Sequence, residues 1–146
     1  METPKPVARP ALVIDTQVVM DWLVFHDPRA QVLATAVLAG EVQWLAEPRM
    51  LDEIRHVIGR GVAARYAPDL ARIEAHFDAH ALMVSAREPS PRLVCRDPDD
   101  QKFIDLALST QARWLISRDK ALLALAKRAK PRGLSILAAE RWTLTA

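Results

Sequence analysis

Three carboxylates, Asp97, Asp99 and Asp100, stand within four positions of the stretch CRDPDDQKF, just before an apolar helical pattern begins. Asp97 suits the cap of a helix with Pro98 at its first position, and acids in a first turn complement the helix dipole. That accounts for Asp97 and Asp99 without any chemistry. Asp100 differs. Phe103, Ile104, Ala107 and Gln111 follow it at three, four, seven and eleven residues, so it heads the inward stripe of its helix while Asp105 faces away. An acid directed inward needs a partner, because an unpaired buried charge is costly.

Three more acids fall at places where such partners collect. Asp15 ends the apolar run ALVID, and Asp119 lies two residues past RWLIS. Glu53 borders the apolar helix face made by Met50, Leu51, Ile54, Val57 and Ile58, whereas Asp52 turns outward with Arg55 and His56. Asp15, Glu53, Asp100 and Asp119 are therefore expected to converge. Brought together they repel unless protonated or neutralised. Hard divalent cations with oxygen ligands, Mg²⁺ or Mn²⁺, are the natural neutralisers, and ligand type alone does not separate calcium from them. A carboxylate-held Mg²⁺ or Mn²⁺ in an open groove suits phosphodiester hydrolysis, since the ion lowers the pKa of water and stabilises charge growing on phosphate.

The elements that must position these acids follow from the hydrophobic pattern. ALVID (11–15), VQWLA (42–46), LMVS (82–85), RWLIS (113–117) and GLSIL (133–137) are short apolar runs that predict strands. Between them, helices are expected over TQVVMDWLVF, from Pro28 to near Gly40, from Pro48 to about Ile58, from Pro68 to His80, from the acidic stretch to about Thr110, and over 119–129. Short apolar strands alternating with helices make right-handed βαβ units, hence an α/β fold with a parallel sheet covered on both faces. In such sheets ligands gather outside the carboxyl ends of the strands, where Asp15 and Asp119 fall. Residues 1–10 read as a flexible arm and 11–146 as one domain.

Composition narrows the function classes. With 146 residues, 51% hydrophobic and 26% charged, the chain is expected to be one soluble globular domain. Twenty Lys+Arg against eighteen Asp+Glu leaves +2, compatible with a nucleic-acid partner without arguing for one. Cys95 is the single cysteine, which excludes an internal disulfide framework and a thiolate zinc cluster and fits a reducing, cytoplasmic location. No secretory leader is expected in METPKPVARP, and no apolar run approaches the roughly 18 residues needed to span a bilayer.

Taken in order, VIDTQV, LDEIRHVIGR, CRDPDDQKFIDLAL and WLISRDKALL resemble the PIN domain, and in particular the bacterial branch that supplies toxin components of toxin–antitoxin pairs. The resemblance runs over about residues 11–140. It implies a three-layer α/β/α sandwich around a parallel sheet of about five strands, and a metal-dependent ribonuclease specific for single-stranded RNA. It carries the family's acidic site onto Asp15, Glu53, Asp100 and Asp119, holding one or two Mg²⁺ or Mn²⁺ ions that activate water for in-line attack on RNA. Homodimers, and inhibition by a small antitoxin, are common among relatives. Where the family has Asn two residues after its first acid, this chain has Gln17, whose longer amide can bond an acid from behind or touch substrate. That change raises the alternative of a PIN-like protein that binds RNA or a partner and cuts weakly. A receiver-like signalling module is the other alternative, but VIDTQ carries one acid where a receiver has a pair, and LMVSA ends without a phosphoacceptor.

The remaining polar residues admit two readings each. Ser117 either orients an acid or contacts phosphate, or else makes an ordinary turn hydrogen bond. Arg96 and Arg118 flank the acids and either hold the RNA backbone, single-stranded or structured, or pair with neighbouring carboxylates. His76 and His80 are expected on a solvated helix face, Lys127, Arg128 and Lys130 complement a helix carboxyl end, and Trp22, Trp44 and Trp114 are expected in the core. Trp142 is left open between the core and a partner chain.

Overall fold

Apolar runs as short as four residues become strands here because the sheet is covered on both faces and demands no alternation. The computed structural model describes residues 9–146. Its strands are β1 (Ala11–Ile14), β2 (Gln43–Ala46), β3 (Ala81–Met83), β4 (Trp114–Ile116) and β5 (Ser135–Leu137). All pair in parallel, in the order β3-β2-β1-β4-β5. The expected parallel α/β sheet of five strands is thus the observed one. The arm expected over residues 1–10 falls, for residues 1–8, outside the described residues.

Seven helices connect the strands among the described residues: α1 (Thr16–Leu23), α2 (Gln31–Leu38), α3 (Pro48–Gly59), α4 (Leu70–His80), α5 (Gln101–Ser109), α6 (Lys120–Leu123) and α7 (Ala126–Ala129). α1 and α2 lead to β2, α3 and α4 to β3, and α5 returns the chain across the sheet to β4. Right-handed crossovers put the first four on one face and α5–α7 on the other, which makes the α/β/α sandwich. The direction of winding reverses between β1 and β4. Open sheets leave a crevice at the carboxyl ends of such strands, because neighbouring connections depart to opposite faces.

The core lies on both sides of β1 and β4. Leu12, Val13, Ile104, Trp114, Leu115 and Ile116 are fully buried, and Trp44 stacks obliquely on Phe77 at 4.5 Å between ring centroids. Trp142 is also core, edge-on to Trp114 at 5.3 Å, so this chain covers it without a partner. His76 departs from its expected solvated face, because the ring lies edge-on to Trp22 at 5.6 Å and is partly covered.

Two helices differ from expectation for local reasons. The helix expected over 119–129 is broken between α6 and α7, where the Leu125 amide bonds back only three residues to Leu122. The tighter turn lets Leu122, Leu125 and Ala129 all face the sheet. α5 ends at Ser109, and Gln111 takes a left-handed conformation with φ of 56°, so it is exposed rather than part of the inward stripe. Asp105 does not face away either. It is buried, accepting from Arg92 Nη2 at 2.8 Å and Gln101 Nε2 at 2.9 Å, because the loop before α5 folds over that side of the helix.

Candidate active site at the carboxyl edge of the sheet

β1 delivers Asp15 to the start of α1, where it caps the helix: Oδ1 accepts the Val18 amide at 2.8 Å. Oδ2 accepts the Ser117 hydroxyl at 2.5 Å, and the same hydroxyl oxygen accepts the Asp119 amide at 3.0 Å. Ser117 in turn donates its own amide to Leu137 of β5. One serine therefore ties the ends of β1, β4 and β5 together. Being fully buried, it orients Asp15 and has no route to a phosphate. Burial raises the Asp15 carboxyl to about 6; the Ser117 and Val18 donors oppose that rise, and repulsion from Asp119 and Asp21 adds to it.

A second group of acids closes on the same edge. Asp97 caps a short 3₁₀ turn, Pro98–Asp100, by accepting the Asp99 amide at 3.0 Å, and that turn runs straight into α5. Asp119 caps α6, with Oδ1 accepting the amides of Ala121 and Leu122 at 2.8 and 3.3 Å. Asp97, Asp100 and Asp119 each bring one carboxylate oxygen within 4.8 Å of the others. Each capping acid accepts backbone amides through one oxygen, Oδ1. Asp100 is pushed up to about 7, first by loss of water around it, then by repulsion from Asp119, Asp97 and Asp15, with Lys102 easing it slightly.

The expected four acids are thus only partly gathered. Asp100 and Asp119 are in the trio, and Asp15 adjoins it through Ser117 and its field. Glu53 is on the edge of the buried face of α3, as its period requires, but it lies outside the trio, paired with Lys102 Nζ at 2.5 Å. Asp97 is the residue that sequence reasoning assigned to capping alone. The signal was present, since a capping carboxylate needs only one of its two oxygens for the helix. The oxygen-only donor set and the crowding of like charge both fit a hard divalent cation.

The flanking residues resolve differently. Arg118 pairs with buried Asp21, Nε to Oδ2 at 2.8 Å, so its carboxylate-partner reading is the observed one. Gln17 donates to the same Asp21 at 3.1 Å, spending its longer amide on that ion pair. Arg96 is exposed next to Asp97. Beside the trio, Arg49, Glu53, Arg92, Lys102, Gln101 and Asp105 line a groove of about 430 Å³.

A family model described as PIN domain matches residues 11–121, from β1 through the start of α6, and so includes every acid discussed above. The chain belongs to the PIN domain family. Comparison with curated proteins and with solved structures finds no significant match. PIN domains are generally metal-dependent nucleases that typically bind Mg²⁺ or Mn²⁺ and act on RNA, and the acidic cluster of this PIN domain is compatible with that chemistry. No helix among the described residues is long and apolar enough to cross a membrane.

Proposed function

We propose that this PIN domain is a metal-dependent endoribonuclease that hydrolyses RNA phosphodiester bonds as the toxin of a toxin–antitoxin pair. The observation that carries the reading is the approach of Asp97, Asp100 and Asp119 to within 4.8 Å at the strand edge of a PIN chain. Asp100 and Asp119 hold the ion together with Asp97, while Asp15, oriented by Ser117, supplies negative charge from beneath. A Mg²⁺ or Mn²⁺ ion bound there supplies an acidified water and charge stabilisation at the scissile phosphate. Arg96, exposed at the rim, takes the RNA backbone, single-stranded or structured. Arg118 does not, being held by Asp21.

Glu53 is grouped with these acids by its family position alone, and Lys102 holds its carboxylate. The toxin role, the inhibiting antitoxin and a homodimer rest on the family resemblance, and a cytoplasmic location on the single cysteine. Exposed Leu82 and Met83 on the edge strand β3 offer apolar surface for such partners. The test is cleavage of a mixed structured and single-stranded RNA panel with added Mn²⁺, beside an EDTA control and Asp100→Asn. Cutting by the wild type alone, lost in EDTA and in the variant, supports the reading. No cutting by wild type that still binds Mn²⁺ replaces it with an RNA- or partner-binding PIN domain, and equal cutting by the variant removes Asp100 from the site.

A further inference from the structure

Lys102 is an unusual lysine. Its side chain is only 13% exposed, although lysine ordinarily keeps its ammonium in water. Three contacts hold that ammonium: Glu53 Oε2 at 2.5 Å, the Asp99 carbonyl oxygen at 2.5 Å, and the face of Phe103 at 4.8 Å from the ring centroid. It stands two residues after Asp100, on the first turn of α5, and its ammonium reaches across to Glu53 of α3. A carboxylate that approaches a metal site with its own cation already attached offers little to a second ion. A second divalent cation at Glu53 has to displace the ammonium or sit against it, and like charge opposes the latter.

We infer that Lys102 is a built-in monocation that occupies the place of a second metal ion at Glu53, so that this acid edge takes one divalent ion rather than two. The inference rests on the metal-dependent reading proposed above and settles its stoichiometry. Glu53 then serves as the anchor of Lys102, a positioning residue, and Lys102 presents a fixed positive charge at the rim of the groove lined by Arg49 and Arg92.

The number of Mn²⁺ ions bound per chain, counted by calorimetric titration and by loss of the free-ion electron paramagnetic signal, tests this without reference to cleavage. Wild type and Lys102→Arg are expected to bind one ion, Lys102→Met two, and Lys102→Met/Glu53→Gln one again. Lys102→Met keeps an unbranched side chain of similar length without the charge, and thermal melting checks that each variant is folded. Two ions on wild type, or one on folded Lys102→Met, overturns the inference while leaving the metal site standing. Asp119→Asn separates the two claims: wild type that binds no Mn²⁺, or an Asp119→Asn variant that binds as well as wild type, overturns the proposed metal site and the inference with it.

Discussion

Asp100 and Asp15 hold their protons more tightly when folded than in the unfolded chain, with pKa values of about 7 and about 6 against an ordinary 3.8. The sign of the consequence is therefore destabilising on the alkaline side. Below about pH 4 both are protonated in either state and exert no effect; between about pH 4 and pH 7 the unfolded chain ionises first, and folding stability falls. The melting temperature of EDTA-treated protein is expected to decline over that range. Added Mn²⁺ should restore it near neutrality, with affinity rising as the pH passes from about 5 to about 7, because protons and metal compete for the same oxygens. Replacing Asp100 by Asn removes the repulsion without the metal. It should raise the melting temperature of the metal-free protein by roughly 3 °C, about 1 kcal/mol, while abolishing the Mn²⁺-induced shift. Ser117 makes the opposite case. Ser117→Ala strips a donor from buried Asp15 and an acceptor from the Asp119 amide, an expected loss of about 1–3 kcal/mol in thermal or urea melts, with the Asp15 carboxyl rising further.

Elements explain why two arginines equally close to the acids in sequence have different tasks. Arg118 begins the turn between β4 and α6 and clamps it to α1 through Asp21, which is buried. Arg118→Met leaves Asp21 with Gln17 alone and should lower stability by about 1–3 kcal/mol, measured by urea unfolding, with no change in RNA affinity at matched folded fraction. Arg96 sits on the exposed approach to the 3₁₀ turn that carries Asp97 and Asp100. Arg96→Met should leave the melting temperature unchanged within about 1 °C and reduce the salt slope of single-stranded RNA binding by about 0.7, measured on an Asp100→Asn background. An unchanged slope would remove Arg96 from the phosphate path. The helix caps matter at the same scale. Asp15, Asp97 and Asp119 are each an N-cap, so the backbone fixes the rotamer of every capping acid before any ion arrives.

For the whole molecule, the parallel sheet sets where chemistry can occur. Its winding reverses between β1 and β4, and all the acids discussed sit at that edge or on helices that start from it. Much of this was readable in advance. Apolar runs of strand length separated by helical periods specify an α/β sheet, and Asp15, Asp100 and Asp119 stand at strand ends and helix starts that local rules locate. The sequence pattern also placed Glu53 correctly on the border of its buried helix face. What it mistook depended on the chain beyond the helix in question. Asp105 is buried because a preceding loop brings Arg92 over it, and Gln111 leaves the stripe because the backbone turns left-handed first. Sequence by itself determined the class of fold and the three acids whose positions follow from periodicity, strand ends and caps, since those depend on neighbours within one helical turn. Only the tertiary structure decided that Asp97 joins Asp100 and Asp119, that Ser117 reaches Asp15 from 102 residues away, and that Lys102 is already on Glu53. Those are contacts through space, and their energies depend on which side chains the completed sheet brings within a few ångströms, which no local spacing encodes.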